Sequence, residues 1–465
     1  MGKGNAYIKT DRAAGGSILF LLLLFFLEGV LPFSAGAEEP VQTLSLDDAK
    51  RLALERNLGL SVVRKEERMA EAEVKRRYAD FFPKLSAEAD YSRQGESPQL
   101  RIAPGTFSPA PLLPPAEIDL PLSDLTNYDF RLTLRQPLFA GGEIRYAYEG
   151  ARLGRKLAGV SHQRTVQDLL LRVELAYWEI LKTERLQEIA ERQVSDLTEH
   201  LRVVNAFHDA GSVSYNEVLK TRVKLAEAEQ RLLTARNDAL LAKMVLNNQL
   251  RRELSTPFSI EPSEAKDEQT LPSREEALER GKAQRMEIAA QRTEVEILDV
   301  REELAKSGYY PRIDFIARYE RAKETQTVLP ENWELLGVLR WTFWEWRKTD
   351  HEVERARLER EKEEDRLREL RDRIDLEVEE AYLRAVEARE KIAVAERAVE
   401  QAEENYRIVR EHFAAGETTN TEVLDAESLL VTARSGQANA LYDFKSAKAR
   451  LIRSMGATVL PPEAP

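Results

Sequence analysis

Residues 412–430 read HFAAGETTNTEVLDAESLL, and residues 207–225 read FHDAGSVSYNEVLKTRVKL. In both, a helix-forming run meets Ala-Gly, then a short polar stretch, then a second helix-forming run. Glycine accepts the left-handed conformation that ends a helix. Ser214 with Glu217, and Thr419 with Glu422, fit the S/T-x-x-E capping box that starts one. Each segment is expected to be a sharp turn between two antiparallel helices. The second follows the first by 205 residues, because Gly416 repeats Gly211.

Working outward, the rest of the chain repeats too. FFPKLSAEADYSR from Phe81 returns as YYPRIDFIARYER from Tyr309, with Pro83 and Pro311 228 residues apart. Ala176-Tyr177 and Ala381-Tyr382 are again offset by 205. The offset changes once, by 23, between Tyr91 and Ala151, so the first half carries an insertion. A local insertion in collinear repeats marks a surface loop. The expected organisation is a signal peptide (1–37), repeat 1 (38–251), a Pro-containing linker (252–271), repeat 2 (272–456) and a tail (457–465). Each repeat is expected to hold a helix (about 45–80 and 272–307), a strand pair, a long helix (about 143–208 and 348–413) and a shorter helix (about 215–251 and 419–455). The strands are expected at about 84–93 and 127–138, then 312–321 and 333–343, and the tip turns at about 209–216 and 414–421.

The strand expectation rests on two-residue alternation. Leu85, Ala87, Ala89 and Tyr91 oppose Ser86, Glu88 and Asp90; Tyr128, Phe130, Leu132 and Leu134 oppose Asp129, Arg131, Thr133 and Arg135. Ile313, Phe315, Ala317 and Tyr319 oppose Arg312, Asp314 and Arg318, while WELLGVLRWTF alternates more weakly. One face of each strand thus carries full charges. Trp333, Trp341, Trp344 and Trp346 cluster at the ends of the last strand, as in an aromatic belt at a membrane surface. The first loop, between the strands of repeat 1, is Pro-rich and expected to be irregular. Four strands cannot close a membrane barrel, whose floor is about eight, and an open edge in lipid is forbidden. Other copies of the chain must complete it.

The long helices carry a heptad seam. From Ile374 to Phe413 apolar residues step by four and three through 378, 381, 385, 388, 392, 395, 399, 402, 406 and 409, many of them Ala. Leu186, Ala190, Val194, Leu197, Leu201 and Val204 repeat this in the first half. Such a seam packs helix on helix. The helix from His351 to Phe413 would be about 95 Å long.

Composition limits function. Charged residues make up 32% and aromatics 7%, a mix suited to long helices rather than ordinary globules. A net charge of -12 disfavours nucleic acid. With no cysteine, disulfides, thiolate metal sites and lipidated cysteines are out. The five histidines (162, 200, 208, 351, 412) show no metal-ligand spacing and are expected as surface or helix-packing residues. Lys3, Lys9 and Arg12, the apolar run Ile18–Leu27 and Ala35-Gly36-Ala37 form a secretory signal cut before Glu38. No other apolar run is long enough to cross a bilayer as a helix. No nucleophile–base set, phosphate loop or metal cluster stands out, so neither an enzyme nor a cofactor is expected.

In this order, and twice over, the motifs FFPKL/YYPRI, RQPLFAGG and AGSVSYNEVL/AGETTNTEVLDAES resemble the TolC-type outer-membrane efflux proteins, over about residues 41–456. The resemblance implies a mainly α fold with a membrane β-barrel: a homotrimer whose 12-stranded outer-membrane barrel continues into a 12-helix periplasmic tunnel. It implies an exit duct for small molecules or secreted proteins, with the helix turns as the closed periplasmic tip. A periplasmic adaptor protein would dock there and couple the duct to an inner-membrane transporter. Gly211, Ser214, Glu217, Gly416, Thr419 and Glu422 match the adaptor-docking tip, and Glu422 with Asp425 match an acidic pore constriction. Two departures stand out. Thr418 occupies the family's basic gate position, and FWEWRKTD replaces the glycines of LFAGGEIR at the barrel-to-helix joint. Many relatives are lipoproteins; this chain, without cysteine, cannot be. Two alternatives remain: a periplasmic adaptor, which has one helical hairpin rather than two, and a structural coiled-coil envelope protein, which leaves the charged strand faces unexplained.

Overall fold

A computed structural model describes residues 42–97, 99–103, 118–121, 125–261, 270–323 and 331–457. The expected signal peptide, much of the linker and nearly all of the tail lie outside these residues. The first half runs β1 (Gln42–Leu44), α1 (Leu46–Arg56), α2 (Leu58–Ala79), β2 (Lys84–Arg93), β3 (Gln99–Ile102), β4 (Ile118–Pro121), β5 (Thr126–Phe139), α3 (Glu143–Asp209) and α4 (Tyr215–Gln249). After β6 (Phe258–Ile260) come α5 (Arg274–Gln284), α6 (Met286–Lys306), β7 (Arg312–Lys323), β8 (Glu331–Arg340), α7 (Lys348–Ala415) and α8 (Asn420–Ser454). By packing the chain divides into two units. One contains, among the described residues, 42–43 and 257–259. The other holds all the helices of the described residues and a four-stranded sheet.

That sheet is antiparallel, in the order β2-β5-β7-β8. The central pair joins the two halves of the chain, and β2 and β8 are its outer strands. Register sorts the side chains by chemistry. Leu132 lies opposite Tyr319, and Leu134 opposite both Leu85 and Ala317. On the other face Arg131 lies opposite Glu88 and Glu320. Its guanidinium reaches Asp129 at 2.8 Å and Glu320 at 3.1 Å. Asp314, fully buried, meets Arg135 at 2.7 Å and Arg340 at 3.4 Å, and Arg318 pairs with Glu334. Leu85, Tyr91, Phe130, Trp333, Leu335 and Leu339 of the opposite face are exposed.

Several expectations need correction. The helix expected at 45–80 is two helices, broken at Asn57, whose side chain caps the next one by accepting from Leu60 N at 3.1 Å. The helix expected at 272–307 breaks at Arg285, 228 residues later, with the same extended backbone. Buried Arg285 pairs there with Glu377 at 2.9 Å and Glu287 at 3.0 Å, and donates to Ser454 O at 3.2 Å. The loop expected to be irregular contains the antiparallel pair β3–β4.

The joints between sheet and long helix differ in residue but not in backbone. Gly141 and Gly142 are left-handed, with φ of 60° and 93°. A Cβ on Gly141 would stand 2.7 Å from Ser307 O, so glycine is required there twice over. At the equivalent places of the second half, Trp346 and Arg347 take φ of 53° and 65°. Each costs about 1 kcal/mol that glycine does not. β8 stops at Arg340, so Trp341 to Trp346 belong to the joint rather than to the strand expected to reach 343.

The helices pack along the seams. Ile374, Val378, Ala385, Ala388, Ile392 and Phe413 are the buried residues of α7 on its heptad stripe. All but Phe413 meet Leu451, Ala440 or Phe444 of α8; Phe413 meets Val423. α3 packs on both α4 and α8, and Leu197, Ala228 and Leu424 form one cluster among the three. No helix among the described residues is long and apolar enough to cross a membrane.

Candidate functional site at the helical tips

Both hairpin turns end a long helix in the same way. Gly211 and Gly416 each have φ of 78°. Ser212 N donates to Phe207 O, and Glu417 N to His412 O, each at 2.8 Å. This is the 6→1 bond that closes a helix through a left-handed residue. Val204, Val218, Phe413 and Val423 then pack together, so the tips of the two hairpins share one apolar core. The rings of Phe207 and Phe413 lie 5.4 Å apart.

The starts of the following helices are not alike. Thr419 caps α8: its hydroxyl accepts from Glu422 N at 3.4 Å and donates to the Glu422 carboxylate at 3.2 Å. Thr418 adds a second hydroxyl donor to Glu422. These bonds, Thr418's first, hold the Glu422 carboxyl below its ordinary pKa. The capping box expected at Ser214 and Glu217 does not form. Ser214 stands at the cap, but its hydroxyl makes no capping bond. The Glu217 carboxylate turns instead to Lys220 Nζ at 2.9 Å and Asn420 Nδ2 at 3.2 Å. The Lys220 bond is the main cause of its lowered pKa. A full ammonium outbids a serine N–H for a carboxylate.

The equivalent third positions also diverge. Lys220 is neutralised by Glu217. Asp425 is exposed and forms no hydrogen bond or ion pair among the described residues. Glu422 and Asp425 lie three residues apart on one helix face. The second tip therefore presents two acids held by no cation; the first presents a closed acid–base pair.

The residues that bind hairpin to hairpin escaped the sequence-based expectation. Asn420, only 2% exposed, accepts from His200 Nε2 at 2.7 Å, and its amide donates to Thr221 Oγ1 at 3.1 Å and Glu217 O at 3.3 Å. The carboxamide oxygen can only accept, so Nε2 of His200 carries the proton. Burial lowers the His200 pKa. Seven residues along each helix, buried Gln193 donates to buried Glu427 at 3.3 Å. Burial raises the Glu427 pKa; Asp196 acts in the same direction, while Gln193, Arg231 and Lys224 oppose it. The seven-residue spacing of Gln193 and His200, and of Asn420 and Glu427, is the signal that could have found this polar ladder.

The model of the outer membrane efflux protein family matches residues 50–250 and 277–457. The alkaline protease secretion protein AprF of Pseudomonas aeruginosa is 25% identical over 361 residues, covering 70% of this chain and 69% of that protein. The CmeC outer membrane channel of Campylobacter jejuni is similar in fold, with a TM-score of 0.75 at 14% identity over 99% of this chain and 96% of that one. The outer membrane protein VceC of Vibrio cholerae gives 0.73 at 16% identity over 89% and 96%.

Proposed function

The chain belongs to the outer membrane efflux protein family, and from that premise we propose that it is the passive exit duct of a multi-component efflux or secretion system. Its place is the outer membrane, with the long helices in the periplasm. Three copies would align their four-stranded sheets edge to edge into one 12-stranded barrel, β8 of one meeting β2 of the next. The observation that carries this is the sorting of side chains across the sheet. One face is apolar and exposed; the other is a ladder of ion pairs around Arg131 and Asp314. Lipid outside and water inside satisfy both faces, and closure removes the two unpaired edges.

The helical tips are the periplasmic entrance. A periplasmic adaptor docks over Gly211, Ser214, Glu217, Gly416, Thr419 and Glu422, and an inner-membrane pump supplies the energy. Glu422 and Asp425, three copies around one axis, form an acidic constriction that favours cations. AprF is a protease secretion protein, so a polypeptide cargo stands beside small molecules as the second reading. Mass measurement of the detergent-solubilised protein tests the assembly. A trimer is expected; a stable monomer or dimer overturns the duct.

A further inference from the structure

Resting on the barrel just proposed, we propose that Arg135, Arg312 and Arg340 form in each copy an anion-binding collar on the lumen wall, fitted to multivalent carboxylate or phosphate groups on the cargo. The three arginines lie on the charged face of the sheet, at the end that meets the long helices. Arg312 opens β7 and Arg340 closes β8, and the register sets them directly opposite each other. Like charges so placed repel. Arg135 approaches from β5, and all three gather around one acid, the fully buried Asp314. Lys84, opposite Arg135, adds no net charge, because Asp80 neutralises it at 2.9 Å.

The cluster is short of acceptors. A guanidinium carries five N–H donors. Among the described residues the three guanidiniums make three hydrogen bonds in all: Arg135 to Asp314 at 2.7 Å, Arg340 to Asp314 at 3.4 Å and Arg312 to the Glu143 carboxylate at 3.2 Å. Arg312 Nε is buried without a hydrogen-bond partner, since Asp314 stands 3.7 Å away. Arg340 is the most open, with its side chain 60% exposed. Even with Glu143 counted, three cations face two acids. Three copies around one lumen repeat the excess. Planar guanidinium forks with free N–H groups match the paired oxygens of carboxylates and phosphates. The positive zone is local. Farther along the same face Glu88, Asp129 and Glu320 surround Arg131, and Asp90 lies directly opposite Asp129. An anion within the barrel therefore meets its favourable wall at the collar.

Single-channel recording of the full chain in planar bilayers tests this, with tripolyphosphate and citrate as probes, each added to one side and then the other. Both are expected to block the unmodified channel, less so as salt rises. Arg340→Gln is the mildest variant, because Asp314 keeps Arg135 at 2.7 Å. It is expected to raise the concentration for half block about tenfold, the worth of one charge-assisted hydrogen bond. Arg340→Lys keeps the charge but loses the fork, and should fall between the two. If the channel conducts and neither anion blocks it, the collar is overturned and the duct stands, whatever the variants do. If block is unchanged in Arg340→Gln and in the pair Arg135→Gln/Arg340→Gln, the anion sits elsewhere and the collar is overturned. If the reconstituted chain does not conduct, the duct fails and the collar with it.

Discussion

At the first helical turn Glu217 is held by Lys220 and by Asn420 reaching across from the other hairpin. At the second, Glu422 is held only by the hydroxyls of its own turn, and Asp425 by nothing among the described residues. The backbones are near copies, down to the same φ at Gly211 and Gly416. Duplication kept the device that turns the chain and let the charges diverge. The first tip is a neutral buttress that accepts the Asn420 clamp; the second supplies both the clamp and the free acids.

The largest effect should come from the clamp itself. Asn420→Ala leaves buried His200 Nε2 without its acceptor and removes the amide's bonds to Thr221 and Glu217, and is expected to cost about 2 kcal/mol. The equivalent residue of the first hairpin, exposed Tyr215, should tolerate alanine within about 0.5 kcal/mol. Thermal unfolding of the two variants checks the pair, and equal losses would erase the asymmetry. Asn420→Ala should also loosen the tip and raise channel conductance.

Glu427 gives the comparison a pH dependence. Burial raises its pKa, so the folded hairpins hold its proton more tightly than the unfolded chain does. The stabilisation is full below the ordinary carboxylate pKa of 4.5 and is lost as pH climbs through the raised value. His200 is lowered by burial and acts oppositely: its penalty is absent above the ordinary 6.5 and complete below the lowered value. Glu427→Gln is therefore expected to add about 1 kcal/mol at neutral pH. It should also flatten the loss of stability as pH rises from 4.5, leaving the His200 limb. Melting temperatures across pH test this, and an unchanged slope on the acid side would contradict it.

The smallest effect sharpens the contrast most finely. Thr419→Ala removes a working cap and should cost about 1 kcal/mol, whereas Ser214→Ala removes a hydroxyl that caps nothing and should be nearly neutral. Comparable losses in thermal scans of the two variants would restore the capping box at Ser214.

What sequence could reveal follows the range of the interaction. Alternation in KLSAEADY and the four-three steps from Ile374 to Phe413 are local patterns. Their residues form a strand and a buried helix seam. The left-handed stop at Gly416 is local as well. The ion pair that holds Arg285 at the second break was not legible, because its partner Glu377 lies 92 residues away. The failure of the Ser214 cap was half legible: Lys220, which competes for Glu217, is three residues away, but Asn420, which also holds it, lies 203 residues along the chain. At Trp346 the local rule pointed the other way: bulky residues where glycine belongs suggested a different joint, yet the backbone is the same.

The central claim is that the free acids of the second tip line the narrow entrance of a conducting channel. Single-channel recording in planar bilayers tests it directly, with Asp425→Asn and the pair Glu422→Gln/Asp425→Asn set against the unmodified protein, with and without multivalent cations. The expected result is cation selectivity and multivalent block that weaken in Asp425→Asn and weaken further in the pair. If the assembly stays intact and both properties are unchanged in both variants, Asp425 is only a helix-end charge and the acidic entrance is wrong.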